Sequence, residues 1–358
     1  MSVLTRPQMI VRLDHLIQNY ETLKKIAPTS VPAAVVKNDA YGLGAALVVR
    51  ALYKNGCRHF FVAHGCEGKI VRAEAPDADI FVLQGMGADS VDDFKEARLA
   101  PVISSRAALD FWHQHKIVGV RPILNVETGL NRLGFRPDDL KQLTDTEKKE
   151  FSFVLSHLAC GDDTHHFMNE RQLNAFAQAR AQLPGLPATL SASDGVFLGG
   201  GFHFDMVRLG AAMYGLNTAP YREDKMKAVL YLSAPVLQIV DVPAGQYVGY
   251  SATYQTRRPI KLAIVSIGYG DGIPRSLQGR GRIFWKGLEA PMIGRISMDN
   301  IMCDVSAMPN LKAGDMVELL NDTYGADEMG QDAGTIGYEI LDWVGKGGRA
   351  WKNVVGLD

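Results

Sequence analysis

Cysteine is scarce in this sequence. Only four occur among 358 residues, and none belongs to a CxxC pair: Cys57, Cys66, Cys160 and Cys303. A disulfide-stapled secreted domain and a thiolate zinc site both need more cysteines at closer spacing. We therefore expect a reducing compartment, no disulfide framework and no metal.

An excess of one charge and long apolar runs are missing as well. The 38 Lys and Arg residues balance 39 Asp and Glu residues, for a formal net charge of -1. Nucleic acids and anionic membranes need a basic surface, so we expect neither as a partner. The sequence has no membrane-length apolar run, and its first residues, MSVLTRPQMIVRLDHL, lack the apolar region of a signal peptide. These absences predict a cytoplasmic protein.

The first 215 residues alternate short β-branched runs with longer amphipathic runs, as βαβ units around a parallel sheet do. A helix is predicted at residues 13–26, with Asp14 as its N-cap. A doubly wound sheet would show a GxGxxG turn, which YGLGA at residues 41–45 is not. We therefore predict a (β/α)₈ barrel, with strands at residues 33–36, 59–63, 79–83, 101–104, 121–126, 152–156, 188–191 and 204–209.

After Tyr221 the sequence changes to closely spaced alternating runs separated by turn residues, such as VLQIVDVPAGQYVGYSATY and IKLAIVSIGY. Helical periodicity returns only in TIGYEILDWVG near residue 335. This pattern predicts a mostly β second domain that ends with a short helix. With the boundary near residues 220–230, we expect a barrel of residues 1–225 and a β-rich domain of residues 226–358.

In a barrel, reactive side chains follow the carboxyl ends of the strands. Lys37 comes directly after the apolar run AAVV and begins a polar turn, NDAYG. Burial there would lower the pKa of its amine and favour Schiff-base chemistry with a carbonyl compound. A lysine that only extends its amine into water explains the placement about equally well.

Arg132, His157 and Ser193 lie at other strand ends of the predicted barrel, and Arg208 lies within the eighth strand. Each has a structural explanation on its own, such as an ion-paired arginine or a buried histidine. Together they would crowd one rim with cations and a hydroxyl, which is costly unless an anionic ligand neutralises the charge. A phosphorylated cofactor would provide such an anion.

Here the sequence resembles the alanine racemases, which bind pyridoxal phosphate on a barrel followed by a β domain. The resemblance covers nearly the whole chain, in the family's order: AVVKNDAYGLGA, TGLNRLGF, FDMVRLGAAMYGL, GYSATY, SIGYGDG, GRISMDN and IGYE. It implies a cytoplasmic enzyme that interconverts L-alanine and D-alanine and supplies D-alanine for peptidoglycan.

The resemblance also implies two bases. Lys37 would hold the cofactor and serve one face of the substrate, and Tyr250 would serve the opposite face. Inversion through a planar carbanion needs a proton removed on one side and returned on the other. In the family this tyrosine reaches the barrel of the neighbouring subunit, which implies a head-to-tail homodimer with shared active sites.

Further residues receive roles from the same resemblance. His157 would bond Tyr250, and Arg208 would lie behind His157 and touch the pyridine nitrogen of the cofactor. The implied phosphate ligands are Tyr41, Ser193, Tyr338 and the amides of Gly210 and Ala211. The substrate carboxylate would meet Arg132 and the amide of Met298 from the partner. A narrow entrance would be lined by Tyr269, Tyr338, Asp162, Arg275 and Arg295.

The sequence departs from the family at several positions. Asn125 stands where many members carry a carbamylated lysine that braces the substrate-binding arginine, so Arg132 needs another anion or a neutral hydrogen bond. Asn38 and Asp39 stand where an alanine and an asparagine are common, and Ser297 stands where some members have cysteine.

Three alternatives stay open at this point. A serine or broad-specificity racemase would share the fold and cofactor, because one hydroxyl or methylene changes selectivity by only about 1–3 kcal/mol. A non-catalytic pyridoxal phosphate carrier would need no β domain bearing Tyr250. A fold-related decarboxylase would be expected to carry an acidic residue where this sequence has Arg208.

Overall fold

The computed structural model describes residues 5–221, 226–348 and 350–356. Strand β1 (Gln8–Arg12) leads directly into helix α1 (Leu13–Ile26). The helix buries Leu16, Tyr20 and Leu23 on one face. Its bounds match the prediction, but the predicted N-cap is wrong. Asp14 lies inside the first turn, where its carboxylate binds Arg12 at 2.6 Å.

Eight parallel strands follow and form a nearly closed barrel, as predicted. Their sheet order is β8-β7-β6-β5-β4-β3-β2-β9, with β9 beside β2. Two backbone hydrogen bonds connect the segments of β8 and β9, from Asp205 N to Ala188 O and from Arg208 N to Ser191 O, both 3.0 Å. The strands are β2 (Val31–Val35), β3 (His59–Val62), β4 (Asp79–Val82), β5 (Ala100–Ile103), β6 (Ile123–Asn125), β7 (Phe153–Leu155), β8 (Ala188–Thr189) and β9 (Met206–Leu209).

Helices cover the outside of this barrel. Alternate strand residues point inward, where Val35, Phe61, Phe81, Val102 and Leu155 form one apolar cluster. The intervening residues pack outward against the helices in the main core. The helices are α3 (Ala45–Lys54), α4 (Gly65–Glu74), α5 (Val91–Ala97), α6 (Arg106–Gln114), α7 (Asp145–Glu150) and α8 (Phe167–Ala181), whereas the short element α2 (Lys37–Tyr41) after β2 is a left-handed turn.

The second part of the chain is mostly β, as predicted. Its sheet has the order β15-β14-β17-β10-β1-β18, and β13 joins β10 to β16. The strands are β10 (Leu230–Val242), β11 (Tyr247–Val248), β12 (Tyr254–Gln255), β13 (Ile260–Val265), β14 (Arg282–Trp285), β15 (Leu288–Pro291), β16 (Ile301–Asp304), β17 (Met316–Leu320) and β18 (Trp351–Val355). Two helices, α9 (Ala326–Ala333) and α10 (Gly337–Lys346), precede β18.

The first strand belongs to this second sheet. β1 pairs antiparallel with β10, Met9 opposite Leu232, and parallel with β18, Ile10 opposite Asn353. No strand is predicted from the sequence at residues 8–12, where the structure buries Met9 and Val11 in this strand between its two partners. The predicted boundary between residues 225 and 226 adjoins residues 222–225, which lie outside the described residues. The boundary therefore stays a prediction.

Helix α10 packs tightly on the turn that follows β2. A Cβ atom placed on Gly345 would lie 2.4 Å from the carbonyl oxygen of Gly42. The backbones of the β domain and the Lys37 turn therefore touch directly. Of the helices within the described ranges, none combines the length and apolarity that a bilayer crossing requires.

Gly345→Ala is expected to destabilise the protein by about 1–3 kcal/mol, because the added methyl group meets backbone that cannot rotate away. Without this contact, alanine would stabilise the helix by about 1 kcal/mol. Gly68→Ala in α4 is the matched control, since its Cβ would meet only the side chain of Leu99 at 2.7 Å. Denaturant unfolding measures both variants, and equal stabilities would contradict the close packing.

Candidate active site

A cavity of about 280 Å³ opens at the carboxyl ends of the barrel strands. Helix α10 supplies one wall residue, Tyr338, from the β domain of the same chain. Nine of the residues singled out from the sequence line this cavity: Lys37, Tyr41, Arg132, His157, Ser193, Arg208, Gly210, Ala211 and Tyr338. The strand-end rule and the resemblance therefore led to one place in the structure.

Lys37 lies at the end of β2 and is half-buried. The next four residues, Asn38 to Tyr41, have φ angles between 54° and 57°, so the backbone makes a left-handed turn. Such a turn costs roughly 1–2 kcal/mol per non-glycine residue and persists only where its surroundings hold it. Burial and the nearby Arg132 lower the pKa of the Lys37 amine.

Arg208 and His157 are joined by a hydrogen bond. A guanidinium nitrogen of Arg208 donates to Nδ1 of His157 at 3.1 Å. Because arginine has only donors, His157 must carry its proton on Nε2, where it can donate in turn. Burial lowers the pKa of His157 to about 3, assisted by the charges of Arg208, Arg132 and Lys37. The imidazole is therefore neutral at physiological pH.

The guanidinium of Arg208 is fixed by its other hydrogen bonds. It donates to the Thr189 hydroxyl at 2.8 Å, the Ser156 carbonyl at 2.7 Å and the Leu190 carbonyl at 3.1 Å. Burial lowers the pKa of Arg208 to about 10, which still leaves it charged. A fixed, buried cation of this kind favours an anionic ligand in the cavity.

Hydroxyls and amides also lie at the cavity. The Ser193 hydroxyl accepts hydrogen bonds from the amides of Gly210, at 2.8 Å, and Ala212, at 3.3 Å. A Cβ on Gly210 would lie 2.8 Å from the Tyr41 hydroxyl, so only glycine leaves this space open. Burial raises the pKa values of Tyr41 and Tyr338, which therefore stay neutral donors. This donor set suits a phosphate group.

Asn125 stabilises the loop that carries Arg132. Its side-chain amide donates to the Ser104 hydroxyl and to the Leu133 carbonyl, both at 3.1 Å. The carboxylate of Glu127 accepts from the amide of Arg132 at 3.2 Å. Asn125, which stands where many family members carry lysine, thus holds the backbone of the loop. The side chain of Arg132 is exposed and lines the cavity.

Tyr250 and Met298 lie outside this cavity, on the surface of the β domain. Their side chains are 69% and 52% exposed. Arg295, predicted at the entrance, donates to the hydroxyl of Ser251 at 2.7 Å, so it lies beside Tyr250 in the fold. One chain by itself does not bring Lys37 and Tyr250 together in the cavity, and their pairing stays a prediction.

The other predicted entrance residues divide between the two parts of the chain. Tyr269 donates its amide to the carbonyl of Ser297 at 3.0 Å, next to Met298, and Tyr269 lines a separate groove with Arg275. Asp162 lies near the barrel mouth, where its charge adds to burial, Asp194 and Asp327 in raising the pKa of Tyr338. The predicted residues therefore form two clusters, one at the barrel mouth and one on the β domain.

Sequence reasoning missed two carboxylates and an amide that line the cavity, Glu127, Asp194 and Gln84. Asp194 follows Ser193 and accepts from the Gly195 amide at 2.9 Å, and burial raises its pKa. The strand-end rule could have found all three, because each follows a barrel strand within a few residues. Within the described residues, no group of histidines, cysteines and carboxylates is arranged to hold a metal.

The sequence matches two family models along its length. The one described as "Alanine racemase, N-terminal domain" matches residues 11–218, and the one described as "Alanine racemase, C-terminal domain" matches residues 229–349. Together they span most of the chain, in the order of the two structural parts.

Known proteins agree with these matches. A relative from Agrobacterium fabrum named "Alanine racemase, catabolic" is 38% identical over 94% of this chain and 90% of its own length. Another from that organism, "Alanine racemase, biosynthetic", is 39% identical over 94% of this chain and 91% of its own length. A crystal structure of alanine racemase from Bartonella henselae with covalently bound pyridoxal phosphate is 35% identical, with a TM-score of 0.93 over 98% of this chain and 99% of that one. The resemblance is confirmed, and the chain belongs to the alanine racemase family.

Proposed function

We propose that this chain interconverts L-alanine and D-alanine with pyridoxal phosphate, in active sites shared between two copies of the chain. The observation that carries the proposal is the composition of the barrel cavity. A half-buried amine with a lowered pKa shares this cavity with a fixed arginine–histidine pair and a cradle of hydroxyls and amides. These are the groups that a phosphorylated aldehyde and an amino acid require.

The cavity fits pyridoxal phosphate. Ser193, Tyr41 and Tyr338 would hold its phosphate, helped by the space that Gly210 leaves open. Lys37 would attach it covalently, as the Bartonella henselae relative attaches it. When bound, pyridoxal phosphate withdraws electrons from the α carbon of an amino acid and so makes the α proton acidic.

Lys37 acts as a base on one face of the substrate. Its lowered pKa gives it a neutral amine at a higher fraction than an ordinary lysine, so it can accept the α proton or return one. Only one face is within reach of a side chain anchored at the end of β2. A second base must therefore approach from the other side.

Tyr250 of a second copy supplies that base. Its exposed position in the β-domain cluster supports this assignment, because a phenol so placed is available to another chain. A phenol has a reference pKa of about 10, so its anion needs hydrogen bonds or positive charge. The Nε2 proton of His157, fixed by Arg208, provides the hydrogen bond.

Arg208 also limits side reactions. It carries only donors, so it cannot stabilise a proton on the pyridine nitrogen of the cofactor. By offering only donors there, Arg208 would leave the ring nitrogen unprotonated and would so disfavour transamination and decarboxylation.

Arg132 and the amide of Met298 from the second copy would bind the substrate carboxylate. The entrance residues Tyr269, Tyr338, Asp162, Arg275 and Arg295 would exclude bulky side chains once both copies are present. Alanine is therefore the proposed substrate, with serine as the alternative because it differs by one hydroxyl.

The metabolic role and location are proposed from the sequence. Relatives named catabolic and biosynthetic match this chain at 38% and 39% identity, so similarity does not separate the two roles. Supply of D-alanine for peptidoglycan and a cytoplasmic location stay predictions from the sequence.

Lys37→Ala is expected to abolish covalent cofactor attachment and to lower racemisation by at least about 10²–10⁴-fold, because the base on one face is lost. Cofactor absorbance, α-proton exchange in deuterated water and optical rotation measure the effect with alanine, serine and lysine. Lys352→Ala is the control, since burial also lowers the pKa of Lys352 but its side chain does not line the cavity. A wild-type protein that binds cofactor without exchange or loss of rotation would be a carrier instead.

Mixing inactive Lys37→Ala and Tyr250→Phe proteins is expected to restore activity. Random exchange of subunits makes half of the dimers mixed, and each mixed dimer has one intact site, so about a quarter of wild-type activity should return. Racemisation after co-refolding or co-expression measures it. If Tyr250 served its own chain, no mixed dimer would contain an intact site and the mixture would stay inactive.

The imidazole of His157 is expected to stay neutral from pH 8 down to pH 5, because its pKa lies at about 3 rather than near the usual 6.5. Carbon-labelled histidine NMR can follow this among the 9 histidines, with His157→Gln assigning the resonance. A His157 resonance that titrates near pH 6.5 would contradict the buried, arginine-bonded state.

A further inference from the structure

The left-handed turn after Lys37 is held from two sides by groups that the proposed reaction does not use. One contact comes from the barrel helix α4 and the other from helix α10 of the β domain. Both act on Asn38, the residue bonded to Lys37. Asparagine is one of the few residues that tolerate this backbone conformation, and its φ is 57°.

Glu67 provides the barrel contact. One carboxylate oxygen accepts from the Asn38 amide at 2.5 Å. The other accepts from the amides of Ala63, at 2.7 Å, and His64, at 3.1 Å. A single carboxylate therefore ties the end of β2 to the end of β3, and it fixes the peptide bond that directly follows Lys37.

Helix α10 provides the second contact. The Asn38 side chain donates to Asp342 at 2.6 Å and accepts from the Lys346 ammonium at 2.5 Å. Asp342 and Lys346 also pair with each other at 2.7 Å, one helical turn apart. An amide has one donor end and one acceptor end, so it fits between an anion and a cation. Alanine, which is common here in the family, could satisfy neither.

We propose that Asn38 is a positioning residue that aims the Lys37 amine at the α carbon of the substrate, through a link to Asp342 and Lys346 of α10. The inference deepens the proposed function and rests on it. Glu67 holds the backbone amide of Asn38, and α10 holds its side chain. Together these contacts fix the backbone next to Lys37, and so the direction in which the Lys37 side chain leaves it. Proton transfer is sensitive to such placement, because a misplacement of about 1 Å can cost 10²-fold in rate.

The hydrogen bonds between Asn38 and α10 affect the direction of the Lys37 side chain more than the stability of the fold. Asn38 is exposed, and exposed hydrogen bonds contribute little to folding. Helix α10 is also anchored independently by the backbone contact between Gly345 and Gly42. Removing the Asn38 side chain therefore leaves the helix docked while it frees the turn.

The test compares Asn38→Gly with Asn38→Ala. Glycine adopts the left-handed conformation without steric cost, so Asn38→Gly removes the link to α10 and adds some backbone freedom, which Lys346→Met does not add. Alanine removes the link and also disfavours the turn. Lys346→Met removes one end of the link from the other side, and the double variant with Asn38→Gly shows whether both changes act through one contact.

Both Asn38 variants are expected to lower kcat by about 10- to 100-fold while KM stays within about twofold. The isotope effect with α-deuterated alanine should rise for one enantiomer only, because Lys37 serves one face. The absorbance of attached cofactor in the resting protein should titrate at a different pH, which is measured without turnover. Lys346→Met should lower kcat in the same way, and the double variant should be no worse than Asn38→Gly.

An Asn38→Gly protein with wild-type kcat, isotope effects and cofactor titration would overturn the proposal. So would activity that falls only in Asn38→Ala, since backbone preference would then explain it. A wild-type protein without racemisation would overturn the proposed function alone, and the shifted titration in Asn38→Gly would still show that Asn38 controls Lys37.

Discussion

Burial of basic side chains in one cavity governs the site. Burial lowers the pKa values of Lys37, His157 and Arg208, and neighbouring cations lower them further, while Asp194 opposes the lowering at Arg208. The same condition shifts the Lys37 amine toward its neutral form, keeps the His157 imidazole neutral and leaves a cavity that favours an anion. A phosphorylated cofactor would relieve the repulsion, so ligand binding and catalytic readiness follow from one electrostatic cause.

The β domain is part of the barrel site within its own chain. Helix α10 brings Tyr338 to the cavity and packs its backbone on the Lys37 turn. The cluster around Tyr250 lies exposed on the same domain. A carrier that only stored cofactor would need neither arrangement, whereas the proposed two-base reaction would use α10 beside one base and an exposed position for the other.

The sequence predicted local features well and long-range ones poorly. The eight barrel strands were predicted from short apolar runs, and the cavity residues from strand ends and motifs. Both kinds of signal are local in the sequence. The pairing of β1 with β10 and β18 was missed, because its partners lie more than 200 residues away. The left-handed turn was missed because Asn38 to Tyr41 contain no glycine, and the partners of Asn38 in α10 lie some 300 residues further along the chain. Whether residues 225 and 226 mark the domain boundary, and what roles the site residues have, stay predictions.

The geometry of a racemase site does not determine which enantiomer the cell produces from the other, and the reason is physical. L-alanine and D-alanine are mirror images, so their free energies in water are equal and their equilibrium constant is one. An enzyme stabilises the transition state that both directions share and cannot favour either product. Net flux then depends on which enantiomer the cell supplies and which it consumes. Relatives named catabolic and biosynthetic can therefore match this chain equally well, since the difference between them does not have to lie in the residues that perform the chemistry.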